Sequence, residues 1–151
     1  MASDIFRFRP QLYGSSLPSS REAIEIMQSL NIAVVVSFAR SRISFQGTGI
    51  EHIPFPVQDF GVPSRSNLEE FLQIVEERLL ENKNILVHCY AGCGRTGIML
   101  AVINMFFFGE DLDATLERLL SVRPCAREVV NNPIQYQFLE EYEKSLKRGS
   151  K

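Results

Sequence analysis

Residues 89–96 read Cys-Tyr-Ala-Gly-Cys-Gly-Arg-Thr and follow directly on Ile85-Leu86-Val87-His88. A thiol, two glycines and a guanidinium are thus packed into one short loop. The apolar run before it suits a buried strand, and residues 96–108 are apolar on nearly every side, as in a buried helix. The loop therefore lies at the C-terminal edge of a strand and closes onto a helix N-terminus. Gly92 and Gly94 let the backbone curl so that its amide hydrogens converge, while the helix start adds unpaired N–H groups and partial positive charge. Arg95 can add a bidentate guanidinium grip on two phosphoryl oxygens, whose geometry a lysine does not reproduce. These are the parts of a phosphate site, and Cys89 stands at its mouth, in surroundings that suit a thiolate nucleophile. The chemistry on offer is attack on phosphorus, with charge on the equatorial oxygens met by preorganised donors.

Other chemistries need residues that the loop lacks. A nucleotide-binding Walker loop requires glycine where Cys89 stands and lysine where Arg95 stands. A zinc site built from His52, His88, Cys89 or Cys93 has no second ligand pair at the usual spacing, so no metal or other cofactor is expected. A thioredoxin-type redox pair has two residues between its cysteines, whereas Cys89 and Cys93 enclose three. The formal net charge of −2 gives no broad footprint for nucleic acid, so an anionic substrate must be held locally. No apolar run is long enough to span a bilayer, and no membrane insertion is expected. Three cysteines at irregular spacing do not resemble a disulfide framework. A reducing compartment, cytoplasmic or nuclear, is the expectation.

The elements that must hold the loop follow from periodicity and caps. With 151 residues, the chain is sized for a single catalytic domain over residues 1–151. Ser19 and Glu22 have capping-box spacing and open a helix with Ala23, Met27 and Leu30 on one face, ending near Asn31. Residues 33–37 are short, β-branched and apolar, as in a buried strand, and residues 51–55 give a weaker second one. A polar loop joins them. Residues 56–64 read as an irregular loop before a second capping box at Ser66 and Glu69. The next helix carries Leu68, Phe71, Leu72, Val75 and Leu79 as a stripe. Gly109 caps the central helix, Asp113 opens a shorter one, and Asn132-Pro133 starts a last helix with Ile134, Phe138 and Tyr142. The tail after Ser145 reads as frayed. The expected fold is α/β, a central and mostly parallel sheet flanked by helices.

The segment His88-Cys89-Tyr90-Ala91-Gly92-Cys93-Gly94-Arg95-Thr96 resembles the HCxxGxxR[ST] signature of the protein tyrosine phosphatase superfamily. Nearly the whole chain shares the resemblance, and its length and loops look like the compact, atypical dual-specificity branch. It implies a protein tyrosine phosphatase-like fold and hydrolysis of phosphotyrosine, phosphoserine and phosphothreonine through a phosphocysteine, without cofactor, in a monomer acting on phosphorylated protein. Residues 89–95 (Cys89, Tyr90, Ala91, Gly92, Cys93, Gly94 and Arg95) would then bind phosphate. Asp59, in Asp59-Phe60-Gly61-Val62-Pro63, inherits the general acid and base roles. Thr96 inherits stabilisation of the departing thiolate, His88 orients the loop, and Gln135, in a segment similar to V-x-x-x-x-Q-Y-x-F, positions water. No tyrosine-bearing recognition loop is evident in the first fifty residues, which favours a shallow, permissive site.

Blander readings of the same residues stand beside these. Asp59 suits a turn with Gly61, Gln135 a polar first-turn position, and His88 a satisfied core histidine. Arg123 and Arg127 fit either the phosphate loop or a solvated surface. The signature does not require Cys93, which is near enough in sequence to capture an oxidised Cys89 or simply to pack. Phosphoinositide and RNA 5′-phosphatases share the superfamily, but the loop has no lysine of the kind lipid-specific relatives carry. A phosphopeptide-binding pseudophosphatase is the remaining alternative, and such proteins usually lose the cysteine, arginine or acid present here.

Overall fold

The structure is a computed structural model that describes residues 4–149. Its sheet is built around two runs of apolar residues. Ile32–Ser37 forms β3 and Asn84–His88 forms β5, which pair in parallel at the centre of a five-stranded sheet. Alternation divides their side chains between two cores. Val34, Val36, Ile85 and Val87 face one side, and Val35 and Leu86 face the other. Both faces are covered, which is why these strands read as continuous apolar runs rather than alternating ones.

Phe6–Arg9 (β1) pairs antiparallel with Leu12–Ser15 (β2), which runs parallel to β5, while Glu51–Pro54 (β4) runs parallel to β3. The order is β1-β2-β5-β3-β4, so three of its four neighbouring pairs are parallel, as expected. The β1–β2 hairpin was not legible in the sequence, because four-residue strands offer too little alternation to stand out.

On the larger face, Arg65–Leu80 (α2), Gly94–Phe108 (α3), Leu112–Val122 (α4) and Pro133–Gly149 (α6) contribute Phe71, Val75, Ile98, Leu119 and Leu139 to one core. Each such side chain, fully buried, stabilises by roughly 1.5–3 kcal/mol. The other face is covered by Ile24 and Met27 of Arg21–Ser29 (α1), with Phe45 and Ile50. Helix α3 lies in the middle and is buried on all sides up to Met105, with Gly109 as its left-handed cap at φ 71°.

Three helix starts differ from the sequence reading. Ser20, Ser64 and Asp111 accept the capping bonds from Ala23, Asn67 and Ala114, in place of Ser19, Ser66 and Asp113. In each case a residue of similar capping type lies within two positions, and the extended backbone conformation of the true cap decides between them. Asn132 caps α6 as expected, its Oδ1 accepting from the Ile134 and Gln135 amides. Ile134, in the first turn of α6, is 63% exposed. Helix α6 continues past Ser145 to Gly149.

Candidate active site

Between β5 and α3 the chain makes a tight loop from Cys89 to Cys93. Gly92 sits at φ 75°, and a Cβ there would lie 2.6 Å from the Ser15 carbonyl carbon and oxygen. Only glycine fits this approach to the end of β2. The carbonyls of Tyr90, Ala91 and Gly92 are held from outside the loop. Leu17 N–H donates to the Tyr90 oxygen at 2.9 Å, Arg123 Nη2 to that of Ala91 at 2.8 Å, and Arg123 Nε to that of Gly92 at 3.1 Å. In a trans peptide the next N–H points the opposite way from each carbonyl. The amides of Ala91, Gly92 and Cys93 are therefore turned inward, as the nest requires. Tyr90 and Ala91 have exposed side chains, so their contribution is through the backbone. Arg123 is the loop brace that sequence reasoning left undecided, and Asp4 anchors it in turn at 3.0 Å. Burial pushes the Asp4 carboxyl up, but hydrogen bonds from Ser16 and Arg123 outweigh this and hold it below its ordinary value. Arg127 is exposed and takes no part in the brace.

Cys89 is buried, and Thr96 Oγ1 donates to its Sγ at 3.1 Å. Arg95 is 7% exposed. Its Nη1 donates to the Phe38 and Val57 carbonyls at 3.4 and 2.9 Å, while Nη2 lies 3.4 Å from Asp59 Oδ1. Its Nε is buried with no partner among the described residues. Asp59 is half exposed and accepts from the Phe60 amide at 3.0 Å, and the Gly61 amide returns to the Gln58 carbonyl at 3.0 Å. Asp59 thus lies in the turn that the Gly61 amide closes, and its carboxylate also faces Arg95.

Gln135 is fully buried. Its Nε2 donates to the Gly61 carbonyl at 3.3 Å, and Oε1 has no partner. Asn132 Nδ2 adds a bond to the Phe60 carbonyl at 3.4 Å. The loop that carries Asp59 is thereby fastened to the start of α6. His88 Nδ1 lies 3.1 Å from the Cys89 carbonyl oxygen. Burial, with a smaller push from His52 and Arg95, pulls its imidazole down to about 4 despite the bond to Cys89.

Two findings lay outside the sequence reading. A Cβ on Gly94 would strike the Glu128 carboxylate, so Arg127–Asn131 (α5) sets an acidic group against the first residue of α3, where the helix dipole favours it. No local pattern around Glu128 announced this. The second is a correction. Cys93 and Cys125 form a disulfide with Cα atoms 5.4 Å apart, leaving Cys89 as the free cysteine. The odd count concealed one pair, because α4 turns back along α3 and carries position 125 to the loop. With its sulfur committed there, Cys93 supplies only its backbone to the nest and has no thiol with which to capture Cys89.

A buried cysteine in an amide nest, a buried arginine and an aspartate facing it define a class: a cysteine-based phosphate-ester site on an α/β scaffold. The family model described as "Polymorphic toxin system, DSP-PTPase phosphatase" matches residues 12–108. The chain belongs to this family, in the compact dual-specificity branch of phosphatases, and is a hydrolase. It is 27% identical over 140 residues to the probable protein tyrosine phosphatase type IVA B of Dictyostelium discoideum, covering 90% of this chain and 82% of that one. It spans only 53% of another relative, the dual specificity protein phosphatase TpbA of Pseudomonas aeruginosa, at 26% identity. Tk-PTP in its active form superimposes with a TM-score of 0.83 at 29% identity, covering 95% of this chain and 99% of that one. Human DUSP28 shares the fold, with a TM-score of 0.80 at 23% identity over 97% of each chain.

Proposed function

We propose that the protein hydrolyses phosphotyrosine, and phosphoserine or phosphothreonine, in protein substrates through a phosphocysteine on Cys89. The observation that carries this reading is the 3.4 Å approach of Asp59 Oδ1 to Arg95 Nη2, which brings an acid and a phosphoryl clamp together over the loop that holds the nucleophile. In the first step Cys89 Sγ attacks phosphorus, and the leaving oxygen takes its proton from Asp59. Arg95 Nε and the inward amides meet the charge on the equatorial oxygens. In the second step water attacks the phosphocysteine and gives its proton to the Asp59 carboxylate. The free Oε1 of Gln135 is the acceptor that orients that water, and the Thr96 hydroxyl stabilises the thiolate as it leaves.

Purified protein in chelator should turn over para-nitrophenyl phosphate and phosphotyrosine peptides, with slower turnover of phosphoserine and phosphothreonine peptides. Acid quench during turnover should trap phosphate on the Cys89 peptide. Activity surviving in Cys89→Ser would overturn the mechanism. A large preference for phosphoinositides or for an RNA 5′-triphosphate in the same screen would overturn the substrate class while leaving the mechanism in place.

A further inference from the structure

Ser37 ends β3, between β4 and β5, and its hydroxyl touches two imidazoles. Its Oγ lies 2.6 Å from His88 Nε2 and 2.8 Å from His52 Nε2. His88 reaches in turn to the Cys89 carbonyl through Nδ1. Counting donors assigns every proton in this chain. A carbonyl oxygen only accepts, so His88 Nδ1 carries hydrogen. With its imidazole held at about 4 by burial, His88 is neutral at pH 7, and Nε2 is a bare acceptor. The single proton of Ser37 therefore goes to His88, and Ser37 Oγ accepts from His52, whose Nε2 must be protonated. The Phe45 ring, 4.9 Å from the His52 ring between centroids, packs against this outer imidazole.

We infer that His52 and Ser37 are positioning residues that fix the tautomer of His88 and, through it, the orientation of the Cys89 peptide. The importance of that peptide rests on the reading of Cys89 as nucleophile. Without the Ser37 hydroxyl, His88 Nε2 becomes a buried acceptor with no donor, which costs the full desolvation penalty of that nitrogen and so more than the net worth of one hydrogen bond. The other tautomer relieves this only by setting the Nδ1 lone pair against the Cys89 carbonyl oxygen. Either outcome loosens the peptide that aims Sγ. His52, exposed at the outer end of the chain, keeps the serine hydroxyl turned toward His88 by occupying its acceptor side.

Nitrogen-15 NMR of histidine-labelled protein at pH 7 tests the assignment directly, and with 2 histidines in the chain each is identified by replacing the other. His88 should show Nδ1–H with bare Nε2, and His52 should show Nε2–H. Ser37→Ala should mix the His88 tautomers and lower kcat about tenfold with KM nearly unchanged, while Ser37→Thr retains both. His52→Leu should lower kcat several-fold at an unchanged melting temperature. His52→Gln should restore it, because an amide N–H can replace Nε2–H. An Nε2-protonated His88 in the wild type, or wild-type kcat in His52→Leu, would overturn the relay. Should Ser37→Ala not fold, the wild-type spectrum and the His52 variants still decide. Absence of turnover in the wild type would count against the proposed function and leave the NMR result to judge the relay alone.

Discussion

Arg123 Nε donates to the Gly92 carbonyl oxygen at 3.1 Å, binding the end of α4 to the tightest point of the phosphate loop. The same guanidinium reaches the Ala91 oxygen at 2.8 Å and Asp4 at 3.0 Å. A planar fork meets the two carbonyls from two rigidly spaced nitrogens, a geometry that the single nitrogen of an ammonium group does not reproduce. Arg123→Lys should therefore keep the charge and the fold but loosen the amide nest. Loss of about 1.4–2.8 kcal/mol of anion binding corresponds to vanadate inhibition weakened roughly 10- to 100-fold. An unchanged inhibition constant would show that the nest holds its shape without the brace.

The Cys93–Cys125 disulfide closes a loop of sequence separation 32. Chain-entropy reasoning gives about 3–4 kcal/mol for a loop of this size. Cys125→Ser should then lower the melting temperature by about 10 °C relative to oxidised wild type. Dithiothreitol should bring the wild type down to the same value. Peptide mapping without reductant should find the Cys93–Cys125 crosslink and an alkylatable Cys89; a Cys89–Cys93 crosslink in its place would contradict the pairing.

In the proposed mechanism Asp59 and Gln135 serve different chemical steps. Asp59→Ala removes proton transfer to the leaving group and should lower kcat by roughly 10²- to 10⁴-fold for a phosphotyrosine peptide. Gln135→Ala removes both the bond to Gly61 and the free Oε1. Rapid-quench experiments should show more phosphoenzyme at steady state in Gln135→Ala than in wild type. An equal level would assign Gln135 to fastening the acid loop alone.

Acid stability should depend on Glu110. Hydrogen bonds from Arg118, then Asn104, hold its carboxyl at about 2 against an ordinary value of 4.5, and Arg9 adds attraction. A folded-state value below the unfolded one contributes stability that is fully present above about pH 4.5 and lost as pH falls through about 2. Glu110→Gln should melt lower than wild type at pH 7, and the gap should narrow across that window in pH-resolved calorimetry. A constant gap would mean that Glu110 acts through packing rather than charge.

The sequence by itself determined the phosphate loop and its place between strand and helix. Cys89, Gly92, Gly94, Arg95 and Thr96 are neighbours along the chain, and their strand, turn and helix start follow from the residues that flank them. It also determined the alternation and caps that make an α/β domain, although it misplaced three caps where a residue of similar capping type stood nearby. Only the tertiary structure decided which cysteines pair, that Arg123 rather than Arg127 braces the loop, that Glu128 lies against Gly94, and that Ser37 joins His52 to His88. It also brought the buried Gln135 to the back of the acid loop, which a first-turn glutamine does not announce. The reason is separation. Arg123 is 31 positions from Gly92, Ser37 is 51 from His88 and Gln135 is 74 from Gly61. Contacts at such range are fixed by how helices and strands pack, which residue spacing along the chain does not encode.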